Sequence, residues 1–310
     1  MTASNPGILA SGIVGESKAD LLCHLPDEVV IPWGRIQAKS TDDACEQFVA
    51  MKAERAWSFP LILKPNASQR GVGLKLALTE TDVRAYFERD YGDIMIQANH
   101  LGPYEAGIFY FRHPSEDHGA IFSITDKQFP ELVGNGKSTI RELIYQHPRY
   151  RMQAKTFLTR HLDNEEQVLK KGECFRLGVA GNHCQGTHFL DGARLITPEL
   201  AAQIDSVAKA FDGFFIGRFD VRYSDPEAFM AGKDLHIVEL NGAMSESTNL
   251  YDQDTFSLFQ AYGILFRQWQ ILFQIGFANR QAGYAVTSLR DVIRIARHHY
   301  KTRKSELISD

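Results

Sequence analysis

The chain has 310 residues, of which 44% are hydrophobic and 23% are charged, and its formal net charge at pH 7 is −4. A chain of this length and hydrophobic content can bury a large core, most simply divided between two lobes. The slightly acidic balance gives no sign of a nucleic-acid-binding protein, and no apolar run reaches the roughly 18 residues that a membrane span needs. We therefore expect a protein that binds no nucleic acid and does not span a membrane.

The N-terminal sequence and the cysteines predict a cytoplasmic location. The N-terminus lacks the basic start and long apolar run of a signal peptide. The four cysteines are far apart and form no CxxC motif, which is typical of reduced thiols. They are Cys23, Cys45, Cys174 and Cys184.

The first elements in chain order are a loop, a short helix, an edge strand and a longer helix, predicted over 1–15, 16–25, 29–36 and 40–57. Lys18 lies near the start of the short helix. Pro32 cannot donate a hydrogen bond to a neighbouring strand, which favours an edge position for 29–36.

A glycine-containing loop follows the predicted strand Leu61–Lys64 and leads into a second strand. Gly71 and Gly73 would let backbone N–H groups approach a phosphate closely, and Lys64 and Arg70 add positive charge. The loop joins two strands, unlike the dinucleotide-binding fingerprint, whose glycines begin a helix. The stretch is interpreted either as a phosphate-binding loop or as a plain flexible hairpin.

A helix from Glu80 to about Arg89 and a buried strand at 93–97 come next, and a turn at Gly102–Pro103 precedes another strand. This crossing is typical of a hinge between two lobes. Gln97 offers an amide donor and acceptor that suit the edge of an adenine, and Glu105 can accept from ribose hydroxyls.

The middle of the chain contains a run that partly matches a P-loop and one helix with clear start and end signals. The run GNGKST at 134–139 lacks the first glycine of a P-loop, because position 131 is Glu131. A turn and a helix over 138–145 are predicted instead, followed by a polar helical stretch over 148–171 and a β-rich stretch over 173–195. Thr197 and Pro198 then mark the start of an amphipathic helix that ends at Gly213.

The stretch from Ile216 to Ser247 reads as two strands joined by a loop. Strand side chains alternate, so pairing would bring Asp220, Glu239 and Asn241 together at one end of a sheet, with Arg218 beside them. Two carboxylates and an amide oxygen are ligands suited to Mg²⁺. The alternative is an exposed hairpin whose acids face water, although the flanking apolar residues favour burial.

Two helices are predicted at the C-terminal end. The first, from Phe256 to Ile275, is rich in Phe, Leu and Trp and is interpreted as a core helix. The second, over about 288–304, carries many Arg and Lys residues, and a solvated basic face is favoured over a membrane or nucleic-acid contact.

Taken in order, FPLILKPN…QRGVG, MIQANHLGPYEAG and GRFDVRY…HIVELNG resemble the ATP-grasp superfamily, and in particular carboxylate–amine ligases of the D-alanine–D-alanine ligase type. VGNGKSTIRELI also resembles the ATP-grasp part of cyanophycin synthetases. The resemblance implies an α+β fold with two lobes that clasp ATP, here with the usual N-terminal α/β domain truncated or absent. It implies an N-terminal segment at 1–15, a small lobe at 16–97 and a large lobe at 98–310.

The resemblance also implies residue roles. Lys18, Lys64 and Arg70 would bind the ATP phosphates under a lid formed by Gly71 and Gly73. Gln97 would lie near the adenine and Glu105 at the ribose. Arg218 would stabilise the reacting carbonyl centre, and the metal ligands would be Asp220, Glu239 and Asn241. Lys127, Arg176, His183 and Arg222 have no match in the motifs.

The function implied is an ATP-dependent ligase that forms a peptide-like C–N bond through an acylphosphate, with Mg²⁺ or alternatively Mn²⁺. Its partners would be a small carboxylate and an amine, and a homo-oligomer or partner subunit could complete the pocket. Two alternatives stay open: another ATP-grasp chemistry such as phosphorylation or thioester formation, and a non-catalytic ATP-binding regulatory module.

Overall fold

The computed structural model describes residues 1–68, 71–89, 92–178, 181–183 and 186–302, without the side chains of 298–302. These residues form an α+β protein whose sheets are antiparallel, which confirms the predicted fold class.

The strands are β1 (Trp33–Gln37), β2 (Leu61–Pro65), β3 (Lys75–Ala77), β4 (Asp93–Ala98), β5 (Tyr104–Phe111), β6 (Ala120–Gln128), β7 (Glu131–Val133), β8 (Cys174–Arg176), β9 (His188–Asp191), β10 (Ile216–Tyr223) and β11 (His236–Asn241). The α-helices are α1 (Lys18–Leu22), α2 (Thr41–Glu54), α3 (Glu80–Phe87), α4 (Ile140–Gln146), α5 (Ala154–Arg160), α6 (Pro198–Ala210), α7 (Pro226–Met230), α8 (Leu258–Gln281) and α9 (Leu289–Thr302). Short 3₁₀ turns occur at Leu9–Gly12, Asp27–Val29, Tyr150–Gln153, Ala193–Leu195 and Thr248–Tyr251.

Side-chain caps explain where several helices begin. The hydroxyl groups of Ser40, Thr79, Thr139 and Thr197 each accept a backbone N–H from the first turn of α2, α3, α4 and α6, which satisfies a donor that has no partner within the helix. Thr79 and Thr139 belong to capping boxes, in which an acid three residues later bonds back to the cap. The starts of α2 and α6 are those that the sequence predicts.

A four-stranded sheet has the order β1-β4-β2-β3. Among the described residues β1 pairs with β4 alone, which confirms the edge position predicted from Pro32. Helices α2 and α3 cover this sheet through a core that includes Phe48, Leu63 and Phe87.

A five-stranded sheet has the order β11-β10-β5-β6-β9. Helices α1 and α6 pack on one face, in a core that contains Leu22, Ile204 and Phe219. Helix α8 packs on the other face through Leu272 and Ile275. The first helix therefore belongs to the core of this larger sheet, and the predicted division of lobes at residue 97 stays a prediction.

A third, smaller unit consists of the β7–β8 ribbon with helices α4 and α5, packed around Phe157 and its neighbours. The stretch 148–171, predicted to be helical, contains a 3₁₀ turn and the seven-residue helix α5. In the part of the chain that the structure describes, no helix is both long and apolar enough to cross a membrane.

Helix α8 is longer and more exposed than the sequence predicts. Its inner side is part of the core, but six aromatic side chains on its outer side are 52% to 87% exposed. The prediction of a core helix is therefore right for one side only.

The N-terminal segment is anchored to β10 by a fully buried asparagine. Asn5 Oδ1 accepts from the backbone N–H groups of Phe215 (2.8 Å) and Ile216 (2.9 Å), and Asn5 Nδ2 donates to the Ile216 carbonyl at 2.7 Å. One side chain thus satisfies three backbone groups at the start of β10, the strand that carries Asp220.

We expect Asn5→Ala to lower the free energy of unfolding by about 2–4 kcal/mol, because it leaves buried backbone groups without partners. Urea unfolding of the full chain measures the change. Asn164→Ala, at an exposed position, is the control and should stay within about 0.5 kcal/mol of the parent. Equal stability of the two variants would contradict the anchoring role.

Candidate active site

Strands β10 and β11 bring together the four residues predicted at the metal. They pair antiparallel with Asp220 opposite Glu239 and Arg218 opposite Asn241, and the register shifts at a bulge directly after Asp220. Asp220 is only 7% exposed and the Glu239 side chain is 27% exposed, so this pair of strands is not a hairpin whose acids both face water. Two carboxylates that lie opposite each other on paired strands repel, and positive charge nearby is needed to hold them.

Asp220 is surrounded by donors. Arg218 Nε and Nη2 lie 2.9 Å and 3.2 Å from its two oxygens, Lys127 Nζ lies 3.0 Å from Oδ1, and Asn241 Nδ2 lies 3.4 Å from Oδ2. Burial by itself would raise the pKa of Asp220, but the charges of Arg218 and Lys127 outweigh it and hold the pKa at about 2. Asp220 is therefore ionised at every physiological pH.

Lys127 joins Asp220 to a second buried acid. Its Nζ also donates to Glu105 Oε1 at 2.9 Å, and Arg222 Nε donates to Glu105 Oε2 at 3.1 Å. Despite burial, these two cations lower the pKa of Glu105. Arg218, Asp220, Lys127, Glu105 and Arg222 thus form a row of alternating charges across β10, β5 and β6.

Glu239 has its own cation, which comes from α1. Lys18 Nζ lies 2.9 Å from Glu239 Oε1 and also donates to the Ser68 carbonyl. Burial would raise the pKa of Glu239, but Lys18 and Lys64 lower it below its ordinary value. Lys18 therefore links the metal-ligand candidate to the start of the glycine-containing loop.

Lys64 and Gln97 meet where the four-stranded sheet faces β11. Lys64 Nζ donates to Gln97 Oε1 at 2.9 Å, and both side chains donate to the Val238 carbonyl, at 3.4 Å and 3.3 Å. Burial lowers the pKa of Lys64 to about 8 even though Glu239 raises it. The predicted phosphate and adenine residues are thus neighbours, next to the strand that carries Glu239.

The predicted lid lies between β2 and β3. Gly71 and Gly73 have positive φ angles of 68° and 75°, a backbone conformation that residues other than glycine rarely adopt. The Gly73 carbonyl accepts from the buried Tyr86 hydroxyl at 2.8 Å. Arg70 lies outside the described residues.

Three residues without an assigned role in the motifs belong to this site. Lys127 and Arg222 complete the row of charges, and their strand positions opposite Glu105 could have indicated it. Glu16 Oε1 accepts from the backbone N–H of Gly242 at 2.7 Å, directly after Asn241. Burial raises the pKa of Glu16 to about 7, and the charge of Glu239 adds to this effect. Nothing in the local sequence around Glu16 distinguishes it.

A separate cluster of His100, Asp234 and His236 has the composition of a metal site. Asp234 Oδ1 lies 3.1 Å from His236 Nε2, and Asp234 Oδ2 accepts two backbone N–H groups from the turn after β10. His100 Nδ1 accepts from the Gly102 N–H at 3.1 Å. We therefore interpret this cluster as stabilising the connection between β10 and β11 through hydrogen bonds.

The donor set on β10 and β11 fits a hard divalent cation. Two carboxylates and an amide oxygen are the groups that Mg²⁺ prefers, and the nearby lysines and arginines show that this face is built around compensated negative charge. The α+β framework therefore presents a set of oxygen ligands next to a buried lysine–glutamine pair.

Removal of Lys127 tests the row of charges. Its side chain is 3% exposed, and loss of a buried partner leaves Asp220 and Glu105 undercompensated. We expect Lys127→Met to lower the free energy of unfolding by about 3–5 kcal/mol without added nucleotide. Lys52→Met, which breaks a surface pair with Glu80, should cost less than about 1 kcal/mol. Similar losses in the two variants would show that the buried row is not a structural unit.

Glu16 predicts a pH dependence. With a folded-state pKa of about 7, above the unfolded value of 4.5, the folded protein binds a proton that the unfolded chain has lost. The stabilising contribution is full below pH 4.5 and is lost as pH rises through 7. We therefore expect the Tm of Glu16→Gln minus that of the parent to increase between pH 5 and pH 8. A difference that is constant across this range would contradict the raised pKa.

Comparison with known proteins was made by sequence and by structure. Neither a protein-family model nor a curated protein sequence matches the chain. Solved structures that are similar include a D-alanine–D-alanine ligase from Bacillus anthracis, with 12% identity and a TM-score of 0.47 over 86% of this chain and 69% of that one. The VanG D-Ala:D-Ser ligase from Enterococcus faecalis has 12% identity and a TM-score of 0.43, over 88% and 64% of the two chains.

A bifunctional glutathione synthetase from Pasteurella multocida is similar over 78% of this chain, with 12% identity and a TM-score of 0.40, but the match spans only 34% of that enzyme. The chain thus corresponds to between about one third and two thirds of these proteins. The resemblance to the D-alanine–D-alanine ligase type, noted from the sequence motifs, is also found by structure, as a likeness of fold.

Proposed function

We propose that this chain is an ATP- and Mg²⁺-dependent carboxylate–amine ligase that acts through an acylphosphate. The observation that carries the proposal is the opposed pair Asp220 and Glu239, with Asn241 beside them and Arg218 and Lys18 as direct salt-bridge partners. A face of this kind suits a reaction in which the charge of phosphate groups must be offset while a carbonyl carbon is attacked.

Mg²⁺, or Mn²⁺ in its place, would be held by Asp220, Glu239 and Asn241. When bound, the ion offsets negative charge on the phosphate groups. The cations that now contact the two acids, Lys127 and Lys18, keep these ligands ionised and oriented.

The proposed nucleotide site extends from the metal ligands to the four-stranded sheet. Lys64, whose pKa is about 8, is mostly protonated at pH 7 and can contact a phosphate together with Lys18. Its hydrogen bond to Gln97 couples the residue proposed for the phosphate to the one proposed for the adenine. Glu105 would accept from the ribose, sharing its carboxylate with Lys127 and Arg222.

Gly71 and Gly73 would cover the phosphates, because their positive φ angles allow the close turns by which the backbone of a loop can approach an anion. Arg70, between the same two strands, is proposed to add a cation there. Exclusion of water by such a loop strengthens electrostatic interactions in the site.

In the proposed reaction, an oxygen of the substrate carboxylate attacks the γ-phosphorus and ADP leaves. The amine nitrogen then attacks the acyl carbon and loses a proton. The C–O bond to the phosphate breaks, and phosphate leaves with the electron pair of that bond. Arg218 would stabilise the oxyanion of the tetrahedral intermediate. Its guanidinium is already oriented by Asp220 and by the Glu246 carbonyl, to which Nη1 donates at 3.2 Å.

The test is Mg²⁺-dependent ADP release by the full chain against a panel of amino acids and small carboxylates, with ATP binding measured in parallel by calorimetry. We expect one combination of a carboxylate and an amine to stimulate ADP release. Asp220→Asn and Glu239→Gln should each reduce this stimulated release by about 100-fold or more. Asp163→Asn, at an exposed position, is the control and should retain full activity.

The other outcomes separate the alternatives. ATP binding without turnover by any acceptor would favour a nucleotide-binding regulatory module. Turnover that survives both substitutions would overturn the assignment of the metal ligands. Absence of ATP binding would overturn the proposed function altogether.

A further inference from the structure

Helix α8 presents a continuous aromatic strip to solvent. It comprises Phe259, Tyr262, Phe266, Trp269, Phe273 and Phe277, each of them more than half exposed. With about 100° between successive helical residues, all six fall within an arc of about 80°. Of the residues that α8 buries against the five-stranded sheet, Ile275 lies on the opposite side of the helix and Leu272 lies between the two sides. The helix therefore has two apolar sides, and the described residues cover only one of them.

The size of the strip exceeds that of an ordinary apolar surface patch. An aromatic residue buries about 150–250 Å² when fully covered, so six that are half exposed or more leave on the order of 700 Å². The largest patch on a typical monomer is about 300–600 Å², whereas a stable interface covers about 800 Å² on each partner. With its flanking side chains, this strip provides the area that one side of a stable dimer requires.

We propose that the aromatic strip is a homodimer interface, in which α8 of one copy packs antiparallel against α8 of a second copy. The strip is symmetric in sequence: Phe259 and Phe277, Tyr262 and Phe273, and Phe266 and Trp269 lie at nearly equal distances from a midpoint between residues 267 and 268. In a two-fold interface each residue i meets a residue j of the partner, and j meets i. An antiparallel pair about this midpoint therefore places an aromatic ring opposite an aromatic ring along the whole strip.

The spacing of the strip fits a helix better than a flat surface. From Phe259 to Phe273 the rings recur at intervals of three and four residues, which is the pattern of a helix–helix seam. The exposed residues beside the strip include Gln270, Gln274 and Gln281, together with Arg267. A helix that lies in a membrane interface has a wider apolar face bordered by Lys and Arg.

The charges at the two ends of α8 are complementary in the same arrangement. Asp254, exposed just before the helix, and Arg280, exposed in its last turn, lie almost equally far from the midpoint. Antiparallel pairing brings Asp254 of one copy near Arg280 of the other at both ends. It also sets the two helix dipoles side by side and antiparallel, which is a favourable orientation.

A groove beside the strip offers room for the side chains of a partner. It has a volume of about 650 Å³, lies between α8 and the end of β5 at Phe111, and reaches Gly263 and Phe266. A Cβ added to Gly263 would meet no atom within 4 Å, so the groove is open at this point of the helix. Rings of a second α8 can therefore enter next to the seam.

The buried side of α8 connects this interface to the proposed site. Gln268 Oε1 accepts from the Ser247 N–H at 3.0 Å, and its Nε2 donates to the Ser245 carbonyl at 2.8 Å. The residue between them, Glu246, provides the carbonyl that accepts from Arg218. Dimer formation would hold α8, and with it this segment, in place. The dimer itself does not depend on the proposed reaction.

Sedimentation of the full chain tests the oligomeric state. We expect a species of twice the 35.0 kDa chain mass, and Phe266→Glu/Phe273→Glu should convert it to a monomer that still unfolds in a cooperative thermal transition. The control Tyr145→Glu alters an exposed aromatic residue on α4, away from α8, and should stay dimeric. A parent chain that is monomeric at micromolar concentration overturns the proposal, as does a dimer that persists in the double variant.

Disulfide cross-linking tests the orientation with milder substitutions. Positions 259 and 277 are about 27 Å apart along one helix, so they cannot be bridged within a chain. The antiparallel pair predicts a cross-linked dimer for Phe259→Cys/Phe277→Cys and none above the parent background for either single variant. A cross-link in Phe259→Cys alone would show parallel packing and overturn the arrangement. The alternative outcome is that the chain cosediments equally with phosphatidylglycerol and phosphatidylcholine vesicles while no cross-link forms. This result would identify the strip as a membrane-binding surface and overturn the dimer.

Discussion

The structure depends on the compensation of two carboxylates that the sheet places opposite each other. Asp220 and Glu239 are in register on β10 and β11, where like charges repel, and they are removed from most of the solvent. Four cations from separate parts of the chain offset them: Lys18 from α1, Lys64 from β2, Lys127 from β6 and Arg218 from β10 itself. Lys18 contacts Glu239, whereas Lys127 and Arg218 contact Asp220, so the compensation relies on the packing of α1 and β6 beside β10 and β11.

This compensation explains why residues far apart in sequence are coupled. Lys64 on the four-stranded sheet and Val238 on β11 share a hydrogen bond, so the two sheets meet at the acids. Asn5 fixes the start of β10 from the N-terminal side, and Gln268 fixes the segment that contacts Arg218 from the C-terminal side. Buried ion pairs of this kind contribute little net stability, since desolvation offsets their attraction. Their value here lies in holding charged groups in fixed positions, which is what the proposed transfer of a phosphoryl group to a carboxylate requires.

Helix α8 shows how a sequence pattern can be right about composition and incomplete about environment. Its richness in Phe, Leu and Trp predicts burial, and one side is indeed packed on the five-stranded sheet. The other side carries the aromatic strip, which the described chain leaves uncovered. Both sides have helical periodicity. Periodicity alone therefore cannot distinguish a helix that is buried on all sides from one that leaves an apolar side exposed. The near symmetry of the strip is what points to a second copy.

The sequence by itself determined the elements and much of the composition of the site. Caps at Ser40 and Thr197 set helix starts, Pro32 set an edge strand, and alternation placed Arg218, Asp220 and Arg222 on one face, because these signals act within a few residues. Tertiary structure decided the rest. Only the order of strands in the large sheet brings Lys127 and Glu105 against Asp220, only the docking of α1 brings Lys18 to Glu239, and only burial beside Gly242 raises the pKa of Glu16. Partners that meet across distant strands, and the desolvation that shifts their pKa values, arise from the folded arrangement and leave no local pattern in the chain.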